Sequence, residues 1–108
     1  MGWFRRGEFL AVWVLGHLLE GPLHGYELLQ RLEGDPLWGG MNPGGLYRLL
    51  RELEASGFVV SRWSVGGGPP KRVYRITEAG KAWLRSMKEP LVRHKMLVDE
   101  ILKKIEEV

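Results

Sequence analysis

The sequence of 108 residues contains no cysteine. Disulfide bonds, thiol chemistry and thiolate metal sites are therefore excluded. The longest uninterrupted apolar segment runs from Phe9 to Leu15, far short of the ~18 residues that a membrane-spanning helix needs. The segment MGWFRR at the start lacks the Ser or Thr at position six of a myristoylation signal and does not resemble a cleaved signal peptide. We expect a cytoplasmic protein without membrane partners.

Residues that could carry catalysis or hold a metal ion are also sparse. The three histidines, His17, His24 and His94, lack the spacing of metal-binding motifs. The segment GGGPPK at 66–71 is rich in glycine but lacks the G-x-x-x-x-G-K pattern, followed by Ser or Thr, of a phosphate-binding loop. We therefore expect no enzyme, no catalytic residue, no metal and no cofactor.

The overall composition is that of a globular protein with one core. Apolar residues make up 44% of the sequence and charged residues 27%, which is typical of soluble domains. A chain of this length is sufficient for a single hydrophobic core.

The segment 42–57, NPGGLYRLLRELEASG, predicts an amphipathic helix. Asn42 is a preferred N-cap, Pro43 suits the first helical position, and Gly57 suits the left-handed residue that follows a helix. Four leucines at positions i, i+3, i+4 and i+7 would form one apolar stripe that faces a core. They are Leu46, Leu49, Leu50 and Leu53.

The opposite face of this helix is polar and cationic. A tyrosine hydroxyl and two guanidinium groups on one face suit phosphates and guanine edges in the major groove of DNA. A solvated helix face is the alternative, because Arg is common there and the ring of Tyr47 could pack sideways. Gly44 and Gly45 favour the DNA interpretation: each costs ~1 kcal/mol in helix propensity, but together they allow the helix N-terminus to approach a phosphate. The expected DNA contacts are Asn42, Gly44, Tyr47, Arg48 and Arg51.

A β-hairpin is predicted directly after the helix. Alternating residues near 59–63 and 73–76 predict two short strands, which flank a loop of glycine and proline at about 65–70. Lys71 and Arg72 follow the tip of this loop, where long cations can reach a DNA backbone or a narrow minor groove. A helix followed by a basic hairpin is typical of a winged helix-turn-helix, in a fold that is mainly α with a small β-hairpin.

Positive charge is concentrated in this part of the sequence. Residues 36–76 contain six basic residues (Arg48, Arg51, Arg62, Lys71, Arg72, Arg75) and two acidic ones (Glu52, Glu54), a net charge of +4. The whole chain has a net charge of +3, so the remainder sums to −1. Such a concentration indicates a nucleic-acid site.

The segment 8–20 predicts a first helix with apolar residues on nearly every side. In a small domain such a helix must be covered both by its own core and by something else. Further helices are predicted at about 24–33 and from Thr77 onward, and Pro90 predicts a break or kink.

The last segment carries apolar residues at alternating steps of three and four. These are Leu91, His94, Val98, Ile101, Ile105 and Val108. This is the a/d pattern of a coiled-coil seam, and the alternative is a helix lying on its own domain. We expect a winged helix-turn-helix domain at 1–89 and a C-terminal dimerisation helix at 90–108. The expected dimer contacts are Phe9, Trp13, Leu91, His94, Val98, Ile101 and Ile105.

Three stretches of the sequence form a specific combination: LLEGPLHGYELLQRLE, LYRLLRELEASGFV and GGGPPKRVYRITEAGKAWL. With them, almost the whole chain resembles the PadR family of bacterial transcriptional regulators. The single C-terminal helix is similar to the shorter branch of that family. The resemblance implies a homodimeric repressor that binds a palindromic operator in double-stranded DNA, with an apolar or aromatic effector sensed between subunits. A winged-helix module that binds another protein, without a specific operator, is the alternative function.

The resemblance maps DNA contact onto Tyr47, Arg48, Lys71 and Arg72. Gly45 departs from the family pattern, in which Thr is common before the Leu-Tyr pair, so the hydroxyl that would make one phosphate or base contact is missing here. The C-terminal helix has no aromatic residue, whereas relatives that sense drugs use one to stack planar ligands. If a small hydrophobic effector binds, Trp13 and Met96 would line its pocket, and a core position is the alternative for Trp13.

Overall fold

The computed structural model describes residues 6–38 and 43–108. These residues form a mainly helical fold with one small sheet, as predicted. No helix in these two ranges combines the length and the apolar character needed to cross a membrane. The elements are α1 (Arg6–Leu18), β1 (Leu23–His24), α2 (Gly25–Gly34), a 3-10 turn (Pro36–Trp38), α3 (Pro43–Ala55), β2 (Val59–Ser64), β3 (Lys71–Ile76), α4 (Glu78–Ser86) and α5 (Lys88–Glu106).

The sheet is antiparallel, with the strand order β1-β3-β2. β2 and β3 form the predicted hairpin, whose register runs from Val59 opposite Ile76 to Ser64 opposite Lys71. The loop between them contains three consecutive glycines, 66–68, with φ angles of 141°, 73° and 148°. Residues with a Cβ rarely adopt these angles, so the glycines permit the tight tip of the hairpin.

β1 is the strand that the sequence pattern does not predict. It is two residues long, and it pairs Leu23 with Tyr74 and His24 with Val73 of β3. So short a strand has no periodicity of its own. Its pairing depends on where the rest of the chain places β3.

The core lies between the sheet and the inner faces of the helices. The predicted leucine stripe of α3 is confirmed, because Leu46, Leu50 and Leu53 are buried and Leu49 packs against the same cluster. Burying each of Leu46, Leu50 and Leu53 stabilises the fold by roughly 1.5–3 kcal/mol. The other large side chains that are fully buried are Leu15, Leu28, Leu32, Val14 and Val59.

The ends of the predicted helices agree closely with the structure, apart from the break that was predicted at Pro90. α1 spans 6–18, whereas the pattern predicts 8–20, a difference within the usual uncertainty of helix ends. The break predicted at Pro90 lies instead at Met87, between α4 and α5. Pro90 is tolerated in the first turn of α5 because the amides of a first turn have no intrahelical partner. The division into domains at 1–89 and 90–108 stays a prediction.

α5 contains no buried residue. Its first half is near α1, where the rings of His94 and Phe9 pack edge to face at a centroid distance of 5.3 Å. Its second half presents exposed apolar side chains to solvent. These include Val98, Ile101, Leu102 and Ile105.

α4 approaches the start of β2 closely at Gly80. The Thr77 hydroxyl accepts a hydrogen bond from the Gly80 amide at 3.0 Å and donates one to the Gly57 carbonyl at 2.6 Å. The Thr77 amide donates to the Phe58 carbonyl at 3.0 Å. A Cβ at Gly80 would collide with that carbonyl oxygen and lie 2.9 Å from Cγ1 of Ile76.

We expect Gly80→Ala to destabilise the protein by roughly 1–3 kcal/mol, because the backbone of Phe58 must move to make room. Urea or thermal unfolding measures the change. Gly34→Ala is the control, since a Cβ at that helical position meets no atom within 4 Å. Equal unfolding midpoints for the two variants would contradict this account of the α4 contact.

Candidate nucleic-acid interface

The outward face of α3 presents two arginines. Arg48 and Arg51 are exposed, because the opposite face of the helix holds the buried leucines. Neither arginine forms an ion pair with a residue in the described ranges. Both guanidinium groups are therefore available to phosphates or to base edges.

Tyr47 lies at the edge of this face rather than on it. It is half-buried and packs against the hydrophobic core. Its Cε1 atom lies 2.9 Å from the position that a Cβ at Gly25 would take, so a glycine at the start of α2 makes room for the ring. The sideways packing considered as the alternative is thus present, and DNA contact by Tyr47 stays a prediction.

The start of α3 is described only from Pro43 onward. Pro43 is the first residue of the helix and Gly44 is exposed, which agrees with the predicted first turn. The predicted N-cap and DNA contact Asn42 lies outside the described residues.

The hairpin separates its cations onto two faces. Residues directly opposite each other in an antiparallel pair share a face. The register places Arg62 opposite Val73 and Lys71 opposite Ser64, on the outer face of the sheet. Both cations are exposed and, among the described residues, neither has an acidic partner.

Arg72 points to the other side of the hairpin, towards α3. Its Nη1 atom donates to the Ser61 hydroxyl at 2.8 Å and lies 3.6 Å from Oε1 of Glu54. Its guanidinium carbon is 4.8 Å from the centre of the Trp63 ring. Lys71 and Arg72 therefore differ in their surroundings, and DNA contact by either residue stays a prediction. Strand alternation places them on opposite faces, and an acid on α3 compensates the charge of Arg72.

Tyr74 lies near Arg72 and Glu54 and is buried, with 6% of its surface exposed. Burial raises the pKa of the Tyr74 hydroxyl above its usual value, and the nearby charge of Arg72 opposes that shift. Smaller effects come from Glu54, Tyr47 and Arg51. The phenol of Tyr74 thus lies at the junction of α3 with the hairpin. Sequence reasoning did not identify this junction, although the alternation of residues 72, 74 and 76 is visible in the sequence.

Trp13 contacts a ring on its own helix, a ring of the 3-10 turn and the residue that follows α2. Its ring lies 4.0 Å from that of His17 and 6.3 Å from that of Trp38, measured between centroids. Its indole N–H points to Oδ2 of Asp35 at 3.4 Å. The ring is half-buried against the core, as the core alternative expects, whereas Met96 on α5 is 64% exposed. A pocket lined by Trp13 and Met96 stays a prediction.

The expected dimer contacts fall into two groups. Phe9, Trp13, Leu91 and His94 are half-buried within the single chain. Val98, Ile101 and Ile105 are exposed, with Ile105 at 59%. The second group forms the part of the predicted seam that the chain itself does not cover.

The histidines have separate local partners. Nδ1 of His17 lies 3.0 Å from Nη1 of Arg31. Nδ1 of His24, at the start of α2, lies 2.5 Å from Oε1 of Glu27. Within residues 6–38 and 43–108, no group of three or more His, Asp or Glu side chains could hold a metal ion.

Comparison with known proteins identifies the family. Residues 14–86 match the Transcriptional regulator PadR-like family. The transcriptional regulator Rv3488 of Mycobacterium tuberculosis is 41% identical over 71 residues, which cover 66% of this chain and 64% of that relative. The chain thus spans somewhat less than two thirds of the length of this curated relative.

Solved structures share the fold over most of the chain. Protein TA0346 of Thermoplasma acidophilum has a TM-score of 0.80 and 33% identity, covering 90% of this chain and 93% of its own. A PadR family transcriptional regulator of Eggerthella lenta has a TM-score of 0.68 and 34% identity, and the match covers 90% of this chain and 81% of that protein. The family match includes α2, α3 and the hairpin, the elements that carry the candidate interface. The chain belongs to the PadR-like family of transcriptional regulators, with a winged-helix DNA-binding fold.

Proposed function

We propose that this regulator is a repressor that binds a palindromic operator in duplex DNA as a homodimer. The observation that carries the proposal is the distribution of charge between 36 and 76. Arg72 is paired with Glu54, whereas the other five cations form no ion pair within the described residues: Arg48, Arg51, Arg62, Lys71 and Arg75. Unpaired cations can release counterions from DNA phosphates, which favours binding.

α3 is the element best suited to the major groove. Its 13 residues correspond to a length of about 20 Å. Its buried leucines hold it on the body of the domain, and Arg48 and Arg51 project from its exposed side. Bidentate contacts from arginine to guanine are the most common specific contacts in major grooves. Lys71 lies at the end of the hairpin, where it would contact the phosphate backbone beside the groove.

α5 supplies the second half of the proposal. The side chains of Val98, Ile101 and Ile105 are spaced as one seam, and they are exposed in the single chain. Burying such a stripe against a second copy would remove apolar surface from water. A two-fold dimer then presents two α3 helices to two half-sites, which explains why the operator is expected to be palindromic. A regulator that binds chromosomal DNA in this way would act in the cytoplasm and would need no catalytic residue.

A small apolar effector would bind near the junction of α1 and α5 in this dimer. Trp13 and Met96 are the proposed lining. The Trp13 ring is already in contact with His17 and Trp38, so a ligand would bind against its remaining exposed surface. Binding there would change the separation of the two α3 helices and relieve repression.

We expect Arg48→Ala or Arg51→Ala to weaken binding to a duplex selected by the unmodified protein by ~1–3 kcal/mol and to relax preference at one base pair. Lys71→Ala should weaken binding to all sequences alike and reduce the salt slope by about one. Fluorescence anisotropy at several salt concentrations measures both effects.

Arg85→Ala is the matched control, since Arg85 is an exposed arginine on α4, outside the interface. It should bind as the unmodified protein does. Unchanged affinity of both α3 variants would show that α3 is not the recognition helix. Binding without dependence on salt or on duplex sequence would favour the protein-interaction module.

We expect Ile101→Glu to dissociate the dimer, because a charge at the seam would be buried without a partner. Light scattering measures the molar mass in solution. Lys103→Glu places the same carboxylate two positions along α5, off the seam, and should leave the dimer intact. A monomeric unmodified protein, or a dimeric Ile101→Glu variant, would contradict the assignment of α5.

The effector site is tested by quenching of tryptophan emission with a set of planar apolar compounds. We expect saturable quenching that is lost in Trp13→Phe and weakened in Met96→Ala. If no compound quenches, or if quenching persists in Trp13→Phe, the proposed pocket is absent.

A further inference from the structure

We propose that Arg72 is a positioning residue that fixes the hairpin to α3, and that it does not contact DNA. This inference rests on the proposed function, because it assigns Arg72 a role in the same DNA-binding surface. We call the four side chains that carry it the hairpin link. They are Glu54 of α3, Ser61 and Trp63 of β2, and Arg72 of β3.

Ser61 is the centre of the hairpin link. Its hydroxyl oxygen accepts from Nη1 of Arg72 at 2.8 Å. The same hydroxyl lies 2.8 Å and 3.0 Å from the two carboxylate oxygens of Glu54, to which it donates. The serine therefore connects an acid on α3 to a cation on β3, using its donor and its acceptor at once.

Trp63 fixes the direction of the Arg72 side chain. The guanidinium carbon of Arg72 lies 4.8 Å from the centre of the indole ring, and the two residues are opposite each other in the β2–β3 register. Contact with an aromatic face and hydrogen bonding at one edge together hold a planar guanidinium in one orientation. The primary amine of a lysine would keep the charge but could not reproduce both contacts.

The position of the hairpin link explains why it matters. Residues 62–72 are all exposed, so the outer part of the hairpin has little core packing to hold it. Glu54 lies one turn after Arg51 on α3, next to the face that is proposed to enter the major groove. The hairpin link therefore sets the direction of the hairpin relative to that face.

The ion pair alone does not account for such a role. The side chains of Arg72 and Glu54 are 41% and 37% exposed, and exposed ion pairs contribute little to stability. The proposed contribution comes from geometry: the direction of the hairpin determines whether Lys71 and Arg48 can contact one duplex at the same time. Misplacing one of two linked contacts lowers affinity without removing a charge from the interface.

Glu54→Gln gives the sharpest test, because a phosphate-binding role and a positioning role for Arg72 predict opposite changes in DNA affinity. If Arg72 binds phosphate, neutralising a nearby acid should strengthen DNA binding. If the hairpin link positions the hairpin, Glu54→Gln should weaken binding to a selected duplex by about three- to tenfold. Glu52→Gln is the matched control: it removes an equal charge from the exposed surface of α3 without touching the link, and it should bind equally or more tightly.

Arg72→Lys separates charge from geometry. We expect it to lose as much affinity as Arg72→Ala, and the salt slopes of the two variants to be equal, because both changes misplace the same hairpin. The Glu54→Gln, Arg72→Ala double variant should bind no more weakly than either single variant, because both changes break the same link. Circular dichroism and thermal unfolding confirm that each variant is folded before binding is compared.

Hydrogen exchange supplies a readout without DNA. Amides at 62–72 should exchange faster in Glu54→Gln and Arg72→Lys, while those of α5 should be unchanged. Three results would overturn the proposal. The first is unchanged exchange at 62–72, and the second is tighter DNA binding by Glu54→Gln. The third is a salt slope reduced by about one in Arg72→Ala together with full affinity in Arg72→Lys. If the unmodified protein selects no duplex, the proposed function fails, and hydrogen exchange still decides whether the link holds the hairpin.

Discussion

The burial of the α3 leucine stripe is the constraint on which the rest of the structure depends. Leu46, Leu50 and Leu53 form part of the same core as the residues of α1, α2 and the sheet. Because a helix is rigid, fixing three side chains on one face also fixes which residues lie on the other. Arg48 and Arg51 project to solvent for this reason. The core thus determines the orientation of the proposed recognition surface, even though the arginines take no part in the core.

Charge compensation then divides the basic residues between 36 and 76 into two sets. Five cations between 36 and 76 are unpaired within the described residues and suit contact with phosphates or bases. Arg72 is held by Ser61 and Glu54, which suits a role in positioning. A count of basic residues in the sequence treats these groups alike, although only unpaired cations can exchange a counterion for a phosphate without breaking an internal contact.

Periodicity in the sequence was sufficient to predict α3, the hairpin and their order, because each has a strong local pattern. Residue preferences at helix ends also predicted Pro43 as the first residue of α3 and the left-handed conformation of Gly57, whose φ is 79°. β1 and the break at Met87 were missed, since both depend on tertiary contacts rather than on a local signal. The proximity of Glu54 to Ser61 was likewise out of reach, because it requires the packing of α3 against the hairpin. The exposed seam of α5 is compatible with the predicted coiled-coil pattern, but a second chain is needed to test it.

The central claim is that a dimer places two α3 helices in successive major grooves of one operator. Dimethyl sulfate protection of guanine N7, on a duplex selected by the unmodified protein, tests it most directly because this atom lies in the major groove. The account predicts two protected groups, related by two-fold symmetry and centred about 10 base pairs, or ~34 Å, apart or at a multiple of that distance. A bound duplex with no protected guanine in its half-sites, or with a single protected group, would contradict it.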